Sequence, residues 1–346
     1  MFKYFITSEM KVRYIWISLL FCIGACNQKK QSAHNIKLSI TDSNKQVITS
    51  ANTLAQELKQ IQRYSNEPFY YLYVNHEQCF FRILVNDIPV FHYVEDGQIM
   101  SPINLNNFIQ KSGKQTITYR LYPQTKRTYG EGFNKLTLYT KFDIKLYVRN
   151  NADTVNSFEN RKLLLTHHAA TKTDGKSFIG DGKDYYDYTF DFEAKVPYDL
   201  DVLENSKDLS KIDQIELLNK TEAAYRYYWN LIQDKKANEV AKLRFNSDTY
   251  QIISEYLDEE LIRKTVDEGD FMFTEPSFKL DPLANYRMQL YGNGKVVCLE
   301  LDSNDLFFRF EKPIWGDYKT KEGEIRSRFE RLYLHIPKGK DTFEII

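Results

Sequence analysis

The sequence predicts an α+β, mostly β fold, in which an antiparallel β-sandwich-like domain precedes a domain of helices and an antiparallel meander. Three observations predict this fold. Apolar and polar residues alternate with period two between about residues 68 and 196, helical spacing replaces that period after residue 210, and strand-like runs return after residue 285. A polar stretch at 199–211 separates the first two patterns. We therefore expect residues 47–200 and 211–346 to form two domains.

The first domain is predicted to begin with a helix over residues 47–61, whose apolar residues recur at three- and four-residue steps. Strands follow, in which one face is apolar and the other polar, as in an antiparallel sheet with one wet face. The clearest strands cover residues 79–86, 117–121, 142–149 and 188–196, and turn sequences such as Glu95-Asp96-Gly97 separate them. About seven short strands are typical of a β-sandwich, although the pattern leaves a closed barrel open.

The second domain is predicted to start with a helix over residues 210–234 and a short helical stretch near 237–243. A third helix is expected to begin at Asp248 as its N-cap and to end at Gly269. Asn293-Gly294 predicts a hairpin turn between the first two strands of the meander. The predicted strands cover residues 286–291, 295–301, 306–310, 329–336 and 342–346.

Composition excludes some classes of partner. The 346-residue chain carries 47 Lys and Arg against 47 Asp and Glu, so its net charge gives no reason to expect nucleic acid as a partner. Its 42% hydrophobic and 27% charged residues indicate an ordinary globular protein. Cys79 and Cys298 each lie in a strand-like run of a different predicted domain, which favours two buried thiols over a disulfide.

The N-terminal segment has the pattern of an export signal. Basic residues precede an apolar run of about ten residues, half of the roughly 20 that a membrane-spanning helix needs. The following sequence, Ile23-Gly24-Ala25-Cys26, resembles the lipobox of bacterial lipoproteins. This resemblance implies that residues 1–25 are removed, that Cys26 is acylated, and that residues 26–46 tether the protein to a membrane.

The resemblance also suggests where in the cell the protein is located. Asn27 stands where an aspartate retains enteric lipoproteins at the inner membrane, so we expect the outer membrane in a host that has two. The tether lacks the acidic cluster that marks surface export in some bacteria. The predicted location is therefore the cell envelope, with the body facing the periplasm.

No motif for catalysis, metal binding or a cofactor is found. The patterns Gly-x-Ser-x-Gly and Ser-x-x-Lys are both missing from residues 26–346. Gly175-Lys176-Ser177 has Ala170 where a phosphate-binding loop needs glycine. His167 and His168 would point to opposite faces of a strand and could not share a metal there. We predict no cofactor and no metal, and a non-enzymatic protein is favoured over an enzyme.

Three aromatic residues are the candidates for ligand binding. Trp315 and Tyr318 are predicted to lie in a loop after Pro313, and loops expose the side chains they carry. Trp229 belongs to the aromatic cluster at 225–229, where Tyr225, Tyr228 and Trp229 would share one face of a helix. Core packing would require that same face, so the sequence leaves both interpretations open for this cluster.

Three classes of function remain. The first is an anchored lipoprotein that binds an envelope protein or polymer, with an immunity-type protein that blocks an incoming toxin as a special case. The second is a carrier or sensor with a small-ligand pocket in residues 211–346. The third is a hydrolase whose site is assembled from distant residues.

Overall fold

The structure is a computed structural model that describes residues 47–127, 130–153, 159–305 and 308–346. The predicted signal peptide, Cys26 and the tether lie outside the described residues. Within the described ranges, every helix is too short or too polar to span a membrane.

The first half of the chain forms two antiparallel sheets of four strands each. Their strand orders are β4-β1-β6-β7 and β3-β2-β5-β8. The strands are β1 Pro68–Glu77, β2 Cys79–Val85, β3 Ile88–Tyr93, β4 Ile103–Asn104, β5 Gly113–Pro123, β6 Lys141–Asn150, β7 Lys162–His168 and β8 Tyr186–Ala194.

The two sheets pack face to face around a shared apolar core. Phe81 on β2 contacts Phe142 on β6, with ring centroids 5.0 Å apart, and Tyr119 on β5 lies 4.7 Å from Phe142. Leu72 and Ile83 are fully buried between the sheets. Because each sheet places its apolar face inward, the prediction of a sandwich-like domain is confirmed.

The second half is α+β and antiparallel, as predicted. Its sheets have the strand orders β10-β11-β14-β15 and β13-β12-β9. Among the described residues, the α-helices are α1 Thr53–Glu57, α2 Gln214–Gln233, α3 Ala237–Ser254 and α4 Glu259–Thr274. The strands are β9 Lys279–Leu280, β10 Tyr286–Tyr291, β11 Val296–Leu301, β12 Ile314–Lys319, β13 Ile325–Glu330, β14 Leu334–His335 and β15 Glu344–Ile345.

Helix α2 packs its aromatic face against this second half. Tyr225 and Tyr228 are both buried, and the Tyr225 hydroxyl donates to the Leu332 carbonyl and accepts from the Leu299 N–H at 2.9 Å. The core interpretation of these two tyrosines is therefore confirmed.

The prediction for the third helix was wrong at both ends. Asp248 is not an N-cap but lies inside α3, 3.3 Å from Arg244. The chain breaks instead after Ser254, and Asp258 caps α4 by accepting from the Leu261 N–H at 2.9 Å. Gly269 lies within α4. The apolar stripe continues across the break, so periodicity could not locate it.

The predicted loop around Trp315 and Tyr318 was also wrong, because these residues lie on strand β12. Gly316 is required there, since a Cβ at this position would come within 2.3 Å of the Lys279 carbonyl oxygen. The predicted strand at 306–310 is not a strand in its described part, since residues 308–310 form a turn. Residues 329–336 belong to two strands, β13 and β14.

Helix α1 is shorter than predicted and packs on helices of the second half. Leu54 and Leu58 contact a buried cluster of Ile252, Leu257 and Ile262 from the α3–α4 region. The predicted boundary segment, residues 199–211, also contacts the second half. The Lys207 N–H donates to the Ile336 carbonyl at 2.8 Å. The division into two domains stays a prediction.

Candidate ligand-binding groove

A groove of about 640 Å³ opens along one side of the sandwich. Strands β3 and β4 line it, and each is the end strand of its own sheet, so the groove lies between two sheet edges. The loop 94–102, the end of α3 and Arg331 complete its walls. This volume falls within the range of about 300–1,000 Å³ that is typical of ligand pockets.

The walls of the groove are largely apolar. Tyr93 stacks on Phe81 with ring centroids 5.7 Å apart, which connects the groove wall to the core of the sandwich. Met100 lies at the rim of the groove and is 82% exposed. The apolar lining residues are Val90, Phe91, Tyr93, Ile99, Met100, Pro102, Ile103 and Phe108.

The loop that borders the groove is fixed to β1 by a side-chain amide. Gln98 accepts from the His76 N–H at 3.4 Å and donates to the His76 carbonyl. Burial lowers the pKa of His76, and its Nδ1 lies 3.1 Å from the Cys79 carbonyl oxygen. Because these contacts hold the loop, the groove is largely preformed.

One cationic and two acidic side chains line the groove: Arg331, Glu95 and Glu255. The Arg331 guanidinium lies 5.8 Å from the ring centre of Phe108 and 5.6 Å from that of Tyr333. Within the described residues it makes no salt bridge. Burial raises the pKa of Glu255, while Gln251, which donates to its carboxylate at 3.1 Å, and Arg331 lower it. Arg331 is thus a cation whose hydrogen-bond donors remain available to a ligand.

A smaller cavity of about 40 Å³ continues inward from the groove. The two share Asn107, Phe108 and Arg331 in their linings, and Tyr250 and Leu200 lie deeper. A cavity this size holds about one or two water-sized groups. The groove therefore has a shallow extension, not a deep tunnel.

The three aromatic residues predicted to bind a ligand lie elsewhere. The Trp229 indole donates to the Asp281 carbonyl at 2.8 Å, and the Asp281 N–H donates to the Trp315 carbonyl at 2.9 Å. Trp315 stacks on Phe329 at 5.6 Å, and Tyr318 meets the edge of Phe271 at 4.7 Å. The structure brings Trp229 and Trp315 together through Asp281, but these three side chains are not part of the groove lining. A ligand-binding role for them stays a prediction.

The histidine pair follows the strand geometry expected from the sequence. His167 stacks on Tyr188 and Phe190 of β8, and its Nε2 lies 3.0 Å from the Tyr119 hydroxyl. His168 is instead on the opposite side of β7, where its Nδ1 contacts Asp143 at 2.6 Å. In the part of the chain that the structure describes, no three His, Cys, Asp or Glu side chains are placed to hold a metal ion.

Cys79 and Cys298 are both free and buried. Burial raises the pKa of the Cys79 and Cys298 thiols, so neither is a reactive thiolate at neutral pH. The expectation of two separately buried thiols is confirmed.

Comparisons of this chain with protein-family models, with curated proteins and with solved structures find no match. Arguments about function therefore start from the groove and its own residues.

The groove residues carried little signal in the sequence. In residues 94–104 the sequence indicated only the turn Glu95-Asp96-Gly97. Arg331 lies between two short strands, and no local pattern connects it with residues more than 200 positions earlier.

Proposed function

We propose that this protein is a membrane-anchored envelope lipoprotein that binds a ligand in the groove between β3, β4 and the end of α3. The observation that carries this proposal is the groove itself, an open concavity of ligand size with apolar walls and an unpaired guanidinium at Arg331. A binding role needs no further chemistry from the protein.

The polar contacts of the groove favour binding over catalysis. A hydrolase that works through a side-chain nucleophile needs a base within hydrogen-bond reach of it. The side-chain hydrogen bonds among the lining residues instead include one from Gln251 to Glu255, and Asn107 accepts from Ser254 at 3.4 Å. These bonds hold the end of α3 against the β4 region and activate no nucleophile.

The anchor is tested by replacing Cys26 with serine. We expect Cys26→Ser to abolish labelling by a fatty-acid probe and to release the protein from the membrane fraction, because a serine hydroxyl cannot take the place of the thiol in lipid attachment. The measurement is in-cell labelling followed by fractionation. As a control, Cys22→Ser should keep the label, since position 22 belongs to the segment that is removed. Persistent labelling of the Cys26 variant would refute the lipobox assignment.

Ligand binding in the groove is tested by photocrosslinking in living cells. We expect p-benzoylphenylalanine at Met100, on the groove rim, to form an adduct of one reproducible mass. The same group at Ile215, which is 72% exposed on α2, is the matched control and should not form it. Arg331→Glu should reduce the yield several-fold, because it reverses the charge that faces the occupant.

The outcomes of this experiment separate clearly. An adduct at residue 100 that depends on Arg331 supports the groove as the binding site. Equal yields at positions 100 and 215, or no adduct from a folded and abundant protein, would overturn the proposal.

A further inference from the structure

We propose that the occupant of the groove is a short extended peptide segment of another envelope protein, which lies beside β3 and places a carboxylate on Arg331. This inference rests on the proposed function, since it names the class of ligand for the same groove.

The first argument is the free edge of β3. This strand pairs with β2 alone, and β4 pairs with β1 alone, so both strands leave one edge without a neighbouring strand among the described residues. An unpaired edge presents a row of backbone N–H and C=O groups to an incoming chain. An extended peptide satisfies these groups by adding a strand, while alternate side chains enter apolar pockets.

The edge of β3 is suited to a short segment. Pro89 lacks an N–H, and the register between β2 and β3 shifts at Ile83, which leaves Val90 as an extra residue. Prolines and bulges limit the pairing of sheet edges. Residues 91–93 therefore form the part of β3 that can pair, which fits a peptide of a few residues and not a whole sheet.

The second argument is the set of amide side chains on the other walls. Asn104 is exposed on β4, and Asn107 and Gln251 line the groove beside it. Within the described residues, Asn104 makes no side-chain hydrogen bond, and the Asn107 amide nitrogen donates to nothing. A primary amide carries both a donor and an acceptor, as a peptide bond does. These groups can therefore pair with the outer side of a bound backbone.

The third argument is charge. Arg331 is the cation of the groove lining and faces the groove over the ring of Phe108. Of the two carboxylates in the lining, Glu255 accepts from Gln251, and Glu95 makes no salt bridge with Arg331 within the described residues. A guanidinium pairs with a carboxylate through two parallel hydrogen bonds. A peptide with an acidic side chain at one end would complete this pair.

The proposal is tested with an array of acetylated and amidated hexapeptides X-Thr-X-Thr-X-Asp, in which X is Val, Leu, Phe or Tyr. Binding to the full lipidated chain in detergent is measured by fluorescence anisotropy. We expect a subset to bind, and N-methylation of alternate backbone amides of the best peptide to weaken it at least tenfold. Replacing its Asp by Asn should weaken it about fivefold.

The role of Arg331 is isolated by a double-mutant cycle. In the Arg331→Gln variant, the Asp and Asn peptides should bind equally, because the guanidinium that distinguishes them is gone. Lys312→Gln, a cation that does not line the groove, is the matched control and should leave the fivefold preference intact.

The two proposals fail in different ways. If no peptide binds, or if N-methylated peptides bind equally well, while the crosslink from residue 100 still depends on Arg331, then the peptide inference is overturned and the groove still binds another class of ligand. If both the peptides and the crosslink fail, the proposed function fails too.

Discussion

Replacing Glu57 with glutamine is expected to stabilise the protein by about 2–4 kcal/mol at pH 8 and by little at pH 4.5. Glu57 lies on α1 with only 2% of its surface exposed, and its Oε2 has no hydrogen-bond partner among the described residues. Burial, together with Asp248 and Asp270, raises the pKa of Glu57 to about 8, against a lowering effect of Arg244. Arg244 is engaged by Asp248 and by Glu330 at 2.8 Å.

The direction of the effect follows from proton binding. The folded state holds the proton of Glu57 up to about pH 8, whereas the unfolded chain releases it near pH 4.5. The stability that the protonated carboxyl contributes is therefore complete below about pH 4.5 and is lost as the pH rises through 8. Glutamine resembles the protonated acid and does not titrate, so its advantage should grow over this interval.

The measurement is urea unfolding of both proteins at several pH values between 4.5 and 8.5. Glu77→Gln is the matched control, because Glu77 is an exposed carboxylate paired with Lys141 at 3.0 Å, and its effect should stay within about 0.5 kcal/mol at every pH. A difference between wild type and Glu57→Gln that does not change with pH would contradict the assignment of a buried, protonated Glu57.

Replacing Arg82 with methionine should destabilise the protein by about 3–5 kcal/mol. Arg82 on β2 forms a buried ion pair with Glu300 on β11, and the Tyr291 hydroxyl donates to the same carboxylate at 2.7 Å. The guanidinium also lies 4.4 Å from the ring centre of Phe310. Its removal leaves a buried carboxylate without its countercharge, which costs more than the pair contributes when intact.

A second variant separates this explanation from lost packing. Arg82→Met combined with Glu300→Gln removes both charges but keeps an acceptor for Tyr291, so it should recover at least half of the lost stability. The measurement is chemical unfolding followed by tryptophan fluorescence. A double variant no more stable than Arg82→Met would show that the guanidinium acts through packing and not through charge.

The sequence predicted most clearly those strands that are exposed on one face. Strand β6 alternates buried with more exposed residues and is among the predicted strands, whereas β1 is not among the clearest ones. Leu72 of β1 faces the sandwich core, but Phe69 and Tyr71 on the other face are covered by Tyr198 and Tyr256. A strand buried on both faces loses its polar alternation, so period two could not reveal it.

Local sequence patterns could not predict the groove, for a related reason. Its lining combines residues 90–108, the end of α3 near residue 251, and Arg331. Each part has its own ordinary local role, as edge strand, helix end and connection between strands. These three segments come together only because the two halves of the chain pack against each other. The periodicity of a single sequence does not reveal that packing. The aromatic candidates Trp229, Trp315 and Tyr318 instead lie outside the groove. They pack among residues of β12, β13, α2 and α4.

The groove takes its walls from both halves of the chain, and this arrangement couples occupancy to the association of the halves. Contacts of residues outside the lining, such as the Arg82–Glu300 pair, connect the two halves of the chain beside β3. A ligand that binds only the assembled form would add about 2.7 kcal/mol of stability at a free concentration one hundred times its dissociation constant. Weakening the junction would, by the same thermodynamic reciprocity, lower affinity without altering one residue that the ligand touches.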